Sequence, residues 1–402
     1  MLRELMNVQR TIWLRRFLLC LLAGSAPCAF AQFTLVNIGH ATNYPGGSFR
    51  CIALSANHAY VGAMGDGLRV FDVSNPANPV NVGHATNPMP ATASFQGIAV
   101  AGNYAYLANA GDGLRVYDVS DPAKPVIVGH TNDSTALRAY ASGITVAGKY
   151  AYLANGTDGL RVYDVSDPAN PRNVGHTNDG YAYGVTVSGN RAYLAAGGLL
   201  HVYDLADPGQ PARLGHTTNL FWNVDVKVDG NYAYVAKTEY GLYVYDISDP
   251  TNPFEVGRVD DGGTAYGVAI SGNYVFLANN TDGLRVYDIV NPASPTGVAH
   301  VDDGGYAESV AVSGNFVYLA NAGDGLRIYA MVPLLDLALT STNTVLLSWS
   351  VPPLNDHVLQ ARADFATASW QDVTNTPVVI SNRNQLVLPA SGGGAFYRLR
   401  SQ

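Results

Sequence analysis

Charge is scarce in this chain. Lys, Arg, Asp and Glu together make up 13% of 402 residues, about half the share of an average soluble protein. The basic sign is the scarcer, 23 residues against 31 acidic ones, for a net charge of −8. A nucleic-acid backbone is held by a cationic face, and no segment here supplies one, so DNA and RNA are not expected partners. Cysteine is nearly absent, with three in all. The motifs G-x-S-x-G, Walker A, clustered zinc ligands and G-x-G-x-x-G in a βαβ setting are missing too, and no cofactor or metal is expected. What the chain does have is 42 Gly, 25 Tyr and a 48% apolar share. That is ample for a large core, with a surface built from Asn, Ser, Thr, Tyr and Gly.

Residues 1–31 read as an address. Arg10, Arg15 and Arg16 precede the apolar run FLLCLLAGSA, and Ala29-Phe30-Ala31 forms a small-x-small site before Gln32. These are the parts of a secretory signal peptide. Ten apolar residues span only about half a bilayer core, so no transmembrane segment is expected in the mature chain. Cleavage removes four Arg and one Glu, which takes the net charge to −11. It also removes Cys20 and Cys28. Cys51 then has no partner for an internal disulfide, and the fold must rest on its core. The protein is expected to be exported, whether periplasmic, cell-surface or secreted.

Repetition dominates the chain from Gln32 onward. The segment GLRVYDVSDPANP at Gly159 has relatives whose Asp falls at Asp72, Asp118, Asp164, Asp204, Asp246 and Asp288, at spacings of 46, 46, 40, 42 and 42. A seventh copy, GLRIYA, ends at Ala330, another 42 residues on. Each copy holds four short apolar runs: GVAISG at Gly267, YAYLAN at Tyr150, LRVYDV at Leu160 and PRNVGH at Pro171. Several alternate at period two, and SGN, Asp-Gly and SDPANP break them where a reversal needs a preset or positive φ. Four strands in forty-odd residues describe one propeller blade. The ends are complementary. Phe33–His40, FTLVNIGH, matches a fourth strand without its first three, and the array ends on a third strand without a fourth. The expected fold is all-β, a seven-bladed β-propeller over 32–330 closed by the N-terminal strand.

The repeated L-R-V-Y-D-V-S-D-P-A-N-P resembles the LVIVD-repeat family of exported bacterial proteins, named for a Leu-Val-Ile-Val-Asp core. The resemblance covers residues 33–330 and implies a propeller outside the cell, without a defined activity. This chain departs by carrying Arg at the second motif position and Tyr or Phe at the fourth. Past Ala330 the period stops. Residues 331–334 read as a linker, since Pro333 cannot continue a ladder. The runs LDLALTS, TVLLSWS, HVLQARA, PVVIS, QLVLP and AFYRLRS in 335–402 resemble a small β-sandwich of immunoglobulin or fibronectin type.

Few residues offer chemistry. His40, His84, His130, His176, His216 and His300 share the end of the fourth run, with Arg258 as the seventh. With strands about 4.8 Å apart, that ring lies at a radius of roughly 22 Å. Its members cannot share a metal, and hydrogen bonding within their own unit is expected instead. Asn109/Asp112, Asn155/Asp158, Asn279/Asp282 and Asn321/Asp324 sit before Gly as hairpin turns require, and none matches a calcium loop. Asp260/Asp261 and Asp302/Asp303 are solvated loop pairs. The Tyr repeat is a packing signal, and Cys51, standing where other copies have Gly97, Gly143, Gly184 and Gly267, reads as a small strand residue.

Variation within the repeat says more. Just before the first strand, the units carry Arg50, Gln96, Ser142, Tyr183, Trp222, Tyr266 and Glu308. First strands line the channel. At an inner radius of about 7 Å neighbouring residues come about 6 Å apart, within side-chain pairing range. Seven unlike groups, three of them aromatic, have the makeup of a small-molecule or sugar site. The leading expectation is a non-enzymatic binding scaffold that presents this mouth and its loops to a glycan or protein ligand. The alternatives are a hydrolase or lyase using Glu308 or Asp225 with Arg50, or a purely structural surface module. The fifth unit stands apart, with Asp225, Lys227 and Lys237-Thr238-Glu239-Tyr240 breaking the pattern.

Overall fold

The computed structural model describes residues 33–42, 47–87, 95–131, 140–178, 180–218, 222–260, 262–302, 304–339, 344–350, 357–362, 369–380, 383–389 and 396–401. The expected signal peptide, Cys20, Cys28, Asp261 and Asp303 lie outside them.

The repeats fold into seven four-stranded antiparallel sheets. In the third, Ala141–Ala147, Tyr150–Asn155, Leu160–Asp164 and Arg172–His176 pair in chain order. The first two strands are joined by a tight turn in which Gly148 takes φ 58°, a conformation open to Gly at little cost. The seventh sheet is assembled differently. It takes Ser309–Ser313, Phe316–Asn321 and Gly325–Pro333 from the end of the array, and its fourth strand is Phe33–Thr42. That ladder runs from Phe33 opposite Pro333 to Thr42 opposite Gly325. Met331, Val332 and Pro333, expected as linker, are therefore paired strand residues. Pro333 is the last of them, where the ladder asks for no further N–H.

The core lies between sheets, not within them. Seven apolar clusters each join two neighbouring units. Tyr106, Leu114 and Val116 of unit two, for example, meet Ile144, Leu153 and Tyr163 of unit three. One cluster unites Phe49, Ile52 and Phe71 of unit one with Tyr318, Leu326 and Ile328 of unit seven. The repeated Tyr are thus packing residues.

A second contact recurs between neighbours. The Gly of the fourth strand lies against the S-D-P-A-N-P turn of the next unit. A Cβ on Gly83 would stand 1.9 Å from the carbonyl oxygen of Pro122, and one on Gly129 would stand 2.1 Å from that of Pro168. Gly39, in the N-terminal strand, meets Pro76 of unit one in the same way, at 2.0 Å. Unit seven has no such turn after its third strand, and the fourth strand facing it carries Ala299 instead of Gly.

Each of the six apolar runs of 335–402 contains a strand. They form a four-stranded sheet, ordered Leu335–Leu339, Thr344–Ser350, Arg383–Pro389, Val378–Ile380, and a three-stranded one in which Gln371–Asp372, His357–Arg362 and Phe396–Ser401 pair. Val345, Leu347, Trp349 and Leu386 of the first share a core with Leu359 of the second. No helix among the described residues is long and apolar enough to cross a membrane.

Candidate functional site

The first strand of units one to five carries a bulge near its start. The register slips between Phe49 and Cys51, Phe95 and Gly97, Ala141 and Gly143, Ala182 and Gly184, and Asn223 and Asp225. A bulge leaves one residue unpaired and re-aims its side chain. The skipped residues are Arg50, Gln96, Ser142, Tyr183 and, in unit five, Val224. Tyr266 and Glu308 hold the same place in units six and seven, one residue before Gly267 and Ser309 begin their ladders. In units one to five, freedom from the ladder leaves this position open to variation, whereas Tyr266 and Glu308 donate their amides to Ala278 and Ala320 of the next strand.

Trp222 therefore does not occupy the place the sequence pattern assigns it. It sits two residues earlier, equivalent to Tyr140, Tyr181 and Tyr306. These four form an outer aromatic group, between 39% and 55% exposed. The sequence pattern does not single these tyrosines out. A strand repeats its facing every two residues, so a shift of two leaves the in-out pattern intact. The signal that separates the two registers is the count back from the turn, Gly189 in unit four and Gly230 in unit five.

All seven expected residues, Arg50, Gln96, Ser142, Tyr183, Trp222, Tyr266 and Glu308, line one cavity of about 760 Å3. Arg50 Nη1 donates to Glu308 Oε1 at 2.9 Å, which joins units one and seven across the wall. Burial raises the Glu308 pKa, and Arg50 works in the opposite direction. Ser142 Oγ donates to the Tyr140 carbonyl at 3.1 Å. The Trp222 indole meets the rings of Tyr181 and Tyr183 edge-on, with centroids 5.8 and 5.7 Å away. Lys227 Nζ donates to Asp225 Oδ1 at 3.1 Å, and Asp225 Oδ2 accepts the Val268 amide at 3.1 Å. Both members of this pair are residues that break the repeat in the sequence.

Cys51 is buried, its thiol pushed up to about 12 by desolvation, as befits an inert strand residue. The histidines stay within their sheets. His84, His130 and His300 donate Nε2 to the carbonyl oxygens of Asp66, Asp112 and Asp282, and His40 does the same to Asp324 at 2.9 Å. The same aspartates do more than shape turns. Asp112 Oδ2 accepts from both Asn109 and Arg115, and Asp158, Asp282 and Asp324 repeat the arrangement. Arg at the second motif position thus has a partner in the turn three residues before it. Among the described residues no three His, Cys, Asp or Glu side chains gather as a metal ion requires.

Unit five replaces this network as a set. Lys237, Tyr240, Tyr243 and Arg258 stand where Asn, Asp, Arg and His stand in unit two. Lys237 is fully buried, with Nζ 4.3 Å from the centre of the Tyr243 ring. Burial lowers its pKa from 10.5 to about 8, and Glu255 opposes the shift. A depressed lysine pKa adds stability that is complete above 10.5 and is lost as pH falls through about 8. From pH 7.5 to 9.5 the protein should gain on the order of 2 kcal/mol. A Lys237→Met variant should lack that gain. Urea titrations of both proteins across the range check this, and parallel curves would contradict it.

Seven four-stranded repeats, the seventh completed from the other end of the chain, define a β-propeller-like repeat protein. The LVIVD repeat model matches residues 46–86, 94–133, 139–179, 179–218, 223–261, 262–303 and 304–328. The chain belongs to the LVIVD repeat family. Among solved structures it is similar to the computationally designed Ika8 protein, at 10% identity and a TM-score of 0.53, over 73% of this chain and 99% of that one. It is also similar to Chaetomium thermophilum Raptor, at 12% identity and a TM-score of 0.62, over 75% of this chain but only 29% of that one. At such identities the likeness concerns fold alone. No curated protein matches the chain.

Proposed function

We propose that this is an exported, non-enzymatic binding scaffold: a seven-bladed propeller closed by its N-terminal strand, followed by a small β-sandwich of immunoglobulin or fibronectin type. Its channel mouth and surrounding loops are presented to a glycan or protein ligand. Closure is supported by arithmetic. Seven sheets in a row share six interfaces, whereas seven apolar clusters are present, one of them joining units seven and one. Gly39 against Pro76, and Phe49 bridged to Ala322, repeat contacts made between other neighbours. Export rests on the composition of residues 1–31.

The observation that carries the binding role is convergence. Arg50, Gln96, Ser142, Tyr183, Val224, Tyr266 and Glu308, the residues of one varying slot, all line one cavity, and Trp222 joins them there. Propellers host enzymes as well as binders, so fold alone does not argue for this. Trp222 offers the first test. It is half exposed and fills little core, so Trp222→Ala should melt close to the parent. Affinity for the best ligand from a glycan array should fall by about 2 kcal/mol or more, as for an aromatic anchor. A melt and a titration decide together. An early melt makes Trp222 a packing residue, and unchanged binding puts the site on the outer loops.

One observation favours the hydrolase or lyase reading, the raised pKa that burial gives Glu308, as a general acid requires. Against it, Oε1 is engaged by Arg50. Turnover of a bound glycan that Glu308→Gln abolishes would decide for the enzyme.

A further inference from the structure

We infer that the cavity takes an uncharged, polyhydroxylated ring, a neutral saccharide, and that unit five reads it. The inference rests on the cavity being the ligand site. Among the described residues four charged side chains line it: Arg50, Glu308, Asp225 and Lys227. They neutralise one another in two pairs, at 2.9 and 3.1 Å. An anionic ligand would compete with Glu308 or Asp225 for its cation, and a cationic one with Arg50 or Lys227 for its anion. Breaking either pair leaves a partly buried charge unpartnered, which is expensive. A neutral ligand leaves both pairs intact.

The aromatic side supplies the complementary chemistry. Edge-type contacts with two tyrosine rings hold the Trp222 indole while about half of its surface stays exposed. A ring face held in place this way is a platform for the C–H face of a sugar, and little side-chain freedom is lost when one stacks.

The next residue along the strand is the unexpected one. Asn223 is fully buried in the cavity wall, at a position where the other units have Phe49, Phe95, Ala141, Ala182, Ala265 and Ala307. Among the described residues neither its Nδ2 nor its Oδ1 has a hydrogen-bond partner. Six units place an apolar residue here, and an amide left unpaired in a wall is destabilising. An amide carries donors beside an acceptor, the set that matches neighbouring sugar hydroxyls. Contact would require the side chain to turn from the wall into the cavity. The same unit places Asp225 and Lys227 further along the strand, so its departures from the repeat share one stretch of wall.

The test uses the mature protein against neutral cello-, xylo-, manno- and malto-oligosaccharides, with polygalacturonate fragments and sialylated or sulfated glycans as the charged arm. The expected result is binding confined to the neutral arm, unchanged between 50 and 500 mM NaCl. Asn223→Ala should melt no lower than the parent, because it restores the residue of units three, four, six and seven. Its affinity should fall at least tenfold, and so should that of Trp222→Ala. Binding in the charged arm that Trp222→Ala abolishes overturns the neutral saccharide but leaves the cavity as the site. Neutral binding that neither substitution weakens overturns both. Silence across the panel overturns the saccharide, and the cavity is then judged by Trp222→Ala against a ligand of another class. An Asn223→Ala protein that melts early gives the amide a packing role and overturns the reading by unit five.

Discussion

A chain that begins at Tyr44 instead of Gln32 should not fold cooperatively. The strand Phe33–Thr42 supplies the whole fourth rung of unit seven. Phe33 and Leu35 lie in the core shared with unit six, and the Phe33 ring meets Tyr274 edge-on, centroids 5.1 Å apart. Burying two such side chains contributes about 2–3 kcal/mol each. Removing the strand also strips the Gly325–Pro333 ladder of its partner, which exposes an edge able to pair with other chains. Together these losses approach the net stability of a typical domain, about 5–15 kcal/mol. The expected result in scanning calorimetry is a broad or missing transition, with aggregation on heating. A normal sharp transition would mean that Phe33–Thr42 is dispensable and the fold does not depend on it.

The second large effect is expected from one methyl group. Gly129→Ala places a Cβ about 2.1 Å from the backbone oxygen of Pro168. No rotamer relieves a clash between a Cβ and a carbonyl, so the two units must move apart. Overpacking of this kind typically costs about 1–3 kcal/mol, and more where backbone is the obstacle. The control is already in the chain. Ala299 occupies the same register position in unit six, facing a unit that lacks the turn. Ala299→Gly should change stability by no more than about 1 kcal/mol, the ordinary conformational cost of glycine. Denaturant midpoints of the two variants give the answer. Equal, small losses in both would show that the turn yields freely and that the repeated glycine has another cause.

These two sites also show why so much of the architecture is legible. The Asp-to-Asp spacing, the four alternating runs and the complementary ends are local patterns, set by side-chain period and turn chemistry. They survive translation into strands almost without change. Even the Gly-to-Ala exchange at Ala299 is visible in the sequence once the contact it answers to is known. Legibility fails where pattern is degenerate. The repeat pattern puts Trp222 at the inner position because a two-residue shift preserves strand facing. It passes over the outer tyrosines Tyr140, Tyr181 and Tyr306 for the same reason. Pro333 reads as a stop and so places a linker at Met331, yet the strand pairing through it begins at Phe33, almost three hundred residues away.

The sequence by itself determined the unit, its strands, its sevenfold count and the positions at which the units differ, because each of these depends on contacts between residues near one another along the chain. Only the tertiary structure decided which side chains share a wall. It brought Arg50 to Glu308, set Asp225 beside Lys227 so that the charges cancel, held Trp222 against two tyrosines and buried Asn223 without a partner among the described residues. Those relations come from bulges that re-aim single side chains and from strands of neighbouring units packing against one another. Distance along the chain carries no record of either.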